Sequence, residues 1–273
     1  MSGSGVTAVL NRCRAEGRAA LVGYLPVGFP SVAGSVEAMQ VLVESGVDIV
    51  EVGVPYSDPV LDGPVIQDAA VRALERGVRL TDAFLATKAV TEAGAAALVM
   101  TYWNPVLRHG VDAFAAELAG ASGAGLITPD LIPEEAADWI AAADRHELDR
   151  VFLVAPSSTP ERLAAVTSRC RGFVYAAAVM GVTGARSRVG TAAKGLVART
   201  RSVSDLPVCV GLGVSTGEQA AEVARFADGV IVGSALVRCL TQAPSERAGL
   251  QALGALAREL ADGIRGATSK EGS

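Results

Sequence analysis

The stretch Ile49 to Pro64 reads Ile-Val-Glu-Val-Gly-Val-Pro-Tyr-Ser-Asp-Pro-Val-Leu-Asp-Gly-Pro, and the interpretation of the whole chain starts from it. It begins as an apolar, β-branched run, which predicts a buried strand, yet this run carries one carboxylate, Glu51. A loop rich in Pro and Gly follows and carries a second carboxylate, Asp62. We expect the strand to hold Glu51 rigidly, whereas the loop that bears Asp62 can move over a pocket.

The two acids have two interpretations. On the first, they form a reaction site in which Glu51 transfers protons in a dry environment while Asp62 stabilises charge on a substrate. On the second, Glu51 is a structural carboxylate paired with a nearby Lys or Arg, and an ordinary turn follows it. An unpaired charge inside an apolar barrel costs several kcal/mol, so the first interpretation predicts a raised pKa for Glu51.

Apolar runs of this kind recur along the chain, and at least one predicted helix follows each of them. The eight predicted strands lie at residues 19–25, around Glu51, and at residues 97–100, 125–128, 150–155, 173–179, 206–212 and 229–232. Continuous apolar strands indicate a parallel sheet that is covered on both faces. Eight such units favour an α/β fold, a single (β/α)8 TIM barrel with extra helices that spans residues 1–273 as one domain. An open doubly wound sheet is the competitor, but the glycines typical of phosphate binding follow the late strands rather than the first.

The composition argues against several classes of protein. With 24 Lys and Arg against 29 Asp and Glu, the net charge is −5, and no basic stripe suits a nucleic acid. The four cysteines show no zinc spacing, and we expect free thiols in a reducing cytoplasm: Cys13, Cys170, Cys209 and Cys239. No signal sequence and no apolar run of roughly 18 residues is found, so no membrane segment is expected.

Two further groups of residues follow predicted strand ends, where barrels of this type carry their functional residues. Glycine lets backbone N–H groups approach an anion closely, and glycines after the last three strands predict a phosphate site: Gly181, Gly184, Gly211, Gly213 and Gly233 with Ser234. Each of these glycines alone is explained equally well by a turn. Aromatic residues at strand ends could line a slot for a flat ring, although most aromatic residues are core: Tyr24, Tyr102, Trp103 and Tyr175.

Other catalytic groups are excluded by their predicted positions. His109 is predicted in a turn and His146 in a helix, and neither has a partner acid or cysteine at ligand spacing. Lys88 and Lys194 are predicted on helices, so a Schiff-base aldolase lacks its lysine. Walker, Rossmann and nucleophile-elbow motifs are not found. We therefore expect no metal and no histidine base.

Several segments together resemble the tryptophan synthase alpha subunits, over about residues 19–240. The matching segments are GYLPVGFP at 23–30, EVGVPYSDP at 51–59, DGP at 62–64, MTYWNP at 100–105, PDL at 129–131, GVTG at 181–184 and GS at 233–234. Two positions depart from the pattern of the family: Phe29 stands where many members have Asp, and Leu61 stands where many have a smaller residue.

The resemblance implies a lyase of tryptophan biosynthesis that cleaves indole-3-glycerol phosphate into indole and glyceraldehyde 3-phosphate with no cofactor on this chain. Glu51 matches the general acid/base of the family, and Asp62 matches the acid that binds the indole N–H. The other residues that match the family's substrate site are Tyr102, Tyr175, Thr183, Gly184, Gly213, Gly233 and Ser234. The resemblance also implies a partner, a beta subunit that carries pyridoxal phosphate and receives indole within an alpha-beta-beta-alpha complex.

Three alternatives remain open on the sequence. A stand-alone lyase that releases free indole would use the same residues. A phosphosugar isomerase would share the phosphate site but would form no indole. A regulatory partner that binds ligand without turnover is the third, and the presence of both Glu51 and Asp62 argues against it.

Overall fold

The structure, a computed structural model, describes residues 5–178, 186–211 and 213–268. Its parallel strands form one sheet in the order β5-β4-β3-β2-β1-β9-β8-β7-β6. The strands are β1 (Ala20–Pro26), β2 (Ile49–Gly53), β3 (Ala96–Met100), β4 (Gly125–Ile127), β5 (Asp149–Val151), β6 (Leu153–Val154), β7 (Val174–Ala177), β8 (Val208–Gly211) and β9 (Gly229–Val232).

The two edge strands of this sheet, β5 and β6, are consecutive pieces of one chain segment. Only Phe152 separates them, and β5 pairs with β4 while β6 pairs with β7. One edge of the sheet therefore continues into the other, and the sheet closes into a barrel. The predicted TIM barrel is confirmed, with the fifth predicted strand formed as two short pieces.

The first helix closes one end of the barrel, and the other helices cover its outside. Within the described residues they are α1 (Gly5–Ala15), α2 (Val32–Glu44), α3 (Pro64–Glu75), α4 (Leu80–Glu92), α5 (Trp103–His109), α6 (Val111–Gly120), α7 (Ala137–Arg145), α8 (Pro160–Thr167), α9 (Arg186–Arg201), α10 (Gly217–Ala224), α11 (Ser234–Thr241) and α12 (Glu246–Thr268). In this part of the chain, no helix combines the length and the apolar character needed to cross a membrane.

The helix boundaries correct three predictions. The prediction of a turn at His109 is wrong, because this residue ends α5, and Pro105 is accommodated in the first turn of that helix, where its missing N–H costs little. The prediction that His146 lies within a helix is also wrong, since it caps the end of α7. Helix α9 begins at Arg186, although a loop was expected up to Gly190.

Alternate residues of each strand face the interior of the barrel. The inward residues that cluster with helix α1 form a lower apolar layer, which includes Val22, Ile49, Leu98, Ile127, Val151, Phe173, Cys209 and Ile231. Two residues further along β1 and β2, the inward positions hold Tyr24 and Glu51, which are paired in register. The closed sheet therefore brings these side chains to its C-terminal mouth.

Helix α1 closes the opposite, N-terminal end of the barrel. Its apolar face is buried against the lower interior layer and consists of Val6, Val9, Leu10 and Cys13. Arg14, in its last turn, forms an ion pair with Asp228 at 3.1 Å, just before β9.

Asp48 links the start of β2 to the segment that precedes β1. The Nη1 and Nη2 groups of Arg18 donate to its two carboxylate oxygens at 2.8 and 2.9 Å, and the N–H of Leu21 donates to Oδ2 at 2.9 Å. The Asp48 side chain is 8% exposed and that of Arg18 is 15% exposed, so water screens this pair weakly.

We predict that Asp48→Asn lowers the free energy of unfolding by about 2 kcal/mol, because it leaves the largely buried Arg18 guanidinium with only the half-exposed Glu16 carboxylate as its ionic partner. Asp262→Asn is the control, since Asp262 forms an exposed pair with Arg265 within α12 and should change stability by less than about 0.5 kcal/mol. Urea unfolding followed by circular dichroism measures both variants. Equal effects of the two substitutions would contradict the structural role of Asp48.

Candidate active site

A cavity of about 360 Å³ opens at the C-terminal mouth of the barrel. Residues that the sequence predicted for the site contribute to its wall: Tyr24, Glu51, Asp62, Tyr175, Gly213, Gly233 and Ser234. Its apolar wall was not predicted and includes Leu61, Ile66, Met100, Leu153 and Ile231. Met100 and Ile231 could have been predicted from their strand positions, because alternate strand residues face inward and both occupy inward positions, as Glu51 does. Thr183 and Gly184, also predicted for the site, lie outside the described residues.

Glu51 is enclosed by the barrel. It is the middle residue of β2, its partners in register are Tyr24 and Leu98, and it is 1% exposed. Among the described residues, neither of its carboxyl oxygens has a hydrogen-bond partner. Burial alone raises the pKa of Glu51 to about 8, because an apolar surrounding disfavours the charged form. The side chain therefore holds its proton at neutral pH, as the first interpretation of the two acids predicted.

Asp62 reaches the same cavity from the loop between β2 and α3, and it is partly open to solvent. Burial raises the pKa of Asp62, and a hydrogen bond with the Tyr102 side chain opposes that rise. The two acids thus differ in environment, one sealed in the barrel and the other on a partly solvated loop. This difference is what allows neighbouring carboxyl groups to serve as an acid and as a carboxylate at the same pH.

Two glycines make room for the two tyrosines of the cavity wall. A Cβ at Gly53 would lie 2.4 Å from the hydroxyl oxygen of Tyr24, and a Cβ at Gly211 would lie 2.9 Å from that of Tyr175. Each tyrosine therefore extends over a glycine of the adjacent strand. Burial, with a smaller contribution from Glu51, raises the pKa of both tyrosines, so both hydroxyls stay protonated.

Tyr102 lies beside the cavity and contacts the loop that carries Asp62. Its hydroxyl oxygen accepts hydrogen bonds from the N–H groups of Val60 and Leu61, both at 3.1 Å. Its ring stacks on Tyr56 with 5.0 Å between centroids. In the described part of the molecule Tyr102 is not a member of the cavity wall, although the sequence predicted that it contacts the substrate.

The part of the cavity wall that follows β8 and β9 suits an anion. Gly213 has a φ of +68°, a left-handed conformation that glycine adopts without strain. Gly233 is the N-cap of α11 and Ser234 is its first residue. The first N–H groups of a helix have no partners within the helix and lie at the positive end of its dipole. This end of the cavity is thus suited to a phosphate group. Across the described ranges, no group of three or more His, Cys, Asp or Glu side chains could hold a metal ion.

Comparison with known proteins identifies similar chains. The family model described as "Tryptophan synthase alpha chain" matches residues 10–265. The tryptophan synthase alpha chain of Mycobacteroides abscessus is 61% identical over 260 residues, which cover 95% of this chain and 97% of that protein. That of Mycobacterium marinum is 63% identical over 257 residues, covering 94% of this chain and 93% of the other.

A solved structure agrees with this similarity. The structure of Mycobacterium tuberculosis tryptophan synthase in space group F222 superposes with a TM-score of 0.90 at 60% identity, covering 97% of this chain and 99% of that one. At this level of identity, the two chains share much of their sequence as well as their fold.

We predict that Glu51→Gln stabilises the protein more at pH 8 than at pH 5.5. The pKa of Glu51 is about 8 in the folded protein against 4.5 for an ordinary Glu, so between these values unfolding releases a proton and stability falls as the pH rises. Gln has a similar shape and no proton to release, so the variant avoids this loss. Melting temperatures at both pH values measure the effect, with Glu135→Gln at an exposed carboxyl as the control. The same difference between Glu51→Gln and wild type at both pH values would contradict the raised pKa.

Proposed function

The chain belongs to the tryptophan synthase alpha chain family and is a lyase that cleaves indole-3-glycerol phosphate, and from this premise we propose that Glu51 and Asp62 divide proton transfer and charge stabilisation between them. One observation carries the proposal: both acids line the same cavity, and only Glu51 is sealed from water. The family assignment excludes the phosphosugar isomerase considered from the sequence.

The reaction needs two proton transfers and no change of oxidation state overall. The bond that breaks joins C3 of the indole ring to the first carbon of the glycerol chain. A proton added to C3 gives an indolenine cation. Loss of the proton from the hydroxyl on that first chain carbon then forms the aldehyde, and the electron pair of the breaking bond returns to the ring. Indole and glyceraldehyde 3-phosphate leave, with one proton added and one removed.

Glu51 can perform both transfers in sequence. Its pKa of about 8 keeps it protonated at neutral pH, so it can donate to C3. The resulting carboxylate is then the base that accepts the hydroxyl proton. Glu51 ends the cycle protonated again, and no second acid is required.

Asp62 acts on the ring nitrogen. As a carboxylate it accepts a hydrogen bond from the indole N–H and stabilises the positive charge that develops when C3 is protonated. Tyr24 and Tyr175 lie on the Glu51 side of the wall and contact the ring. Gly213, Gly233 and Ser234 bind the phosphate through backbone N–H groups and the α11 dipole. The assignment of Thr183 and Gly184 to the substrate site stays a prediction.

We predict that Glu51→Gln and Asp62→Asn each lower kcat by about 1,000-fold, because each removes a group that acts in the transition state. Both variants should still bind a non-cleavable analogue, indole-3-propanol phosphate, within about tenfold of wild type. Release of indole and analogue titration are the two measurements, and Glu135→Gln is again the control. Turnover retained in either variant would remove that residue from its role.

An apolar rim at the barrel mouth supports a partner subunit. Four large apolar side chains are exposed on segments that follow β2, β3 and β4: Val60 (72%), Leu61 (51%), Leu107 (57%) and Ile132 (42%). Hydrogen bonds join these segments, since Tyr102 holds the first and the Asp130 carboxylate accepts from the N–H of Trp103 at 2.9 and 3.1 Å. Exposed apolar patches of this kind mark protein interfaces. We propose that a tryptophan synthase beta subunit covers this rim and receives indole.

Cofactor and compartment follow from the same proposal. The proton transfers assigned to Glu51 require no cofactor on this chain, and pyridoxal phosphate belongs to the beta subunit. We place the enzyme in the cytoplasm, where its free cysteines stay reduced: Cys13, Cys170, Cys209 and Cys239.

We predict that the purified chain cleaves its substrate slowly alone and at least about tenfold faster with a purified beta chain, because the partner orders the mouth of the barrel. Leu107→Asp should remove this acceleration. Leu85→Asp is the matched control, since Leu85 is 61% exposed on α4, outside the rim, and should keep it. Rapid turnover of the chain alone, unchanged by the beta chain, would instead support the stand-alone lyase.

A further inference from the structure

Tyr102 connects a rigid part of the barrel mouth to the loop that carries Asp62. It is buried and is the N-cap of α5, and the next residue, Trp103, is bound through its N–H to the Asp130 carboxylate. By contrast, Val60 and Leu61 have exposed side chains. The hydrogen bonds from their N–H groups to the Tyr102 hydroxyl therefore fasten a loop to a fixed point more than 40 residues away along the chain.

The bonding capacity of the hydroxyl group determines where its proton goes. A phenol oxygen has two lone pairs and one proton. The N–H groups of Val60 and Leu61 occupy both lone pairs, so the O–H group can act only as a donor. Asp62 is the next residue, and the nearby Tyr102 hydroxyl opposes the rise that burial causes in the pKa of its carboxyl. The Tyr102 hydroxyl thus holds the backbone of the loop immediately before Asp62 and lies near the Asp62 carboxyl.

We propose that Tyr102 is a positioning residue, which orients the Asp62 carboxylate toward the cavity by holding the two residues that precede it, Val60 and Leu61, and does not itself touch the substrate. This inference rests on the proposed function, because Tyr102 acts through the role of Asp62. It replaces the expectation that Tyr102 is a wall of the substrate site.

Tyr102→Phe tests the proposal because it removes one oxygen and keeps the ring that stacks on Tyr56. We expect kcat/KM to fall by about tenfold to a hundredfold, since a misplaced charged group weakens the transition state. The acid limb of the kcat/KM profile should move to higher pH, because Asp62 loses the neighbouring hydroxyl that lowers the pKa of its carboxyl. The melting temperature should change little, because water can reach the freed N–H groups. A lower melting temperature with an unmoved acid limb would mean a merely structural role and would overturn the proposal.

A double-mutant cycle separates action through Asp62 from direct contact with substrate. Binding of indole-3-propanol phosphate should weaken about threefold in Tyr102→Phe and about tenfold in Asp62→Asn, and the double variant should bind like Asp62→Asn alone. Ser57→Ala is the control, because it removes a hydroxyl of the same loop that bonds only to Asp58 among the described residues, and it should bind like wild type.

The outcomes of the cycle also separate the two proposals. Additive losses in the double variant would mean that Tyr102 contacts the substrate directly and would overturn the positioning role. If the wild-type chain releases no indole even with its beta partner, the proposed function itself is wrong. If wild type is active and Asp62→Asn is inactive while Tyr102→Phe equals wild type, only the inference about Tyr102 fails.

Discussion

A closed parallel barrel points every second side chain of each strand inward, and the geometry of the site depends on this alternation. The three inward residues of β2 have three different tasks. Ile49 packs the lower interior layer, Glu51 presents its carboxyl to the cavity, and Gly53 leaves the space that Tyr24 occupies. A shift of one residue in the register of β2 would turn Glu51 toward the outer helices and remove the carboxyl from the site.

Closure of the barrel also determines the protonation state of Glu51. Because the strands exclude water from Glu51, its pKa rises to about 8 without help from a neighbouring charge. Asp62 lies on a loop outside the sheet and keeps contact with solvent. A buried strand thus holds the group proposed to move a proton, and a partly solvated loop holds the group proposed to stabilise charge on the ring. A pair of acids on the same strand could not differ in this way.

The strands and both acids could be predicted from the sequence, because apolar runs interrupted by Gly and Pro report directly on buried strands and their exits. Helix α5 could not, since Trp103 to Pro105 has the composition of a loop and the helix is fixed by its contact with Asp130. The link from Tyr102 to the Asp62 loop was also beyond prediction, because it joins residues far apart in the chain. The spaces above Gly53 and Gly211 depend on neighbouring strands, which spacing along the chain does not reveal.

Helix α1 seals one end of the barrel, with its apolar face in the lower interior layer and Arg14 paired to Asp228. The interior of the barrel is therefore closed at its N-terminal end and open at its C-terminal mouth. On the proposed function, substrate and both products pass through the C-terminal mouth, with the phosphate at Gly233 and Ser234 and the indole ring nearer the Asp62 loop. A subunit docked over this mouth would lie in the path of the departing indole and would receive it before it diffused into bulk water.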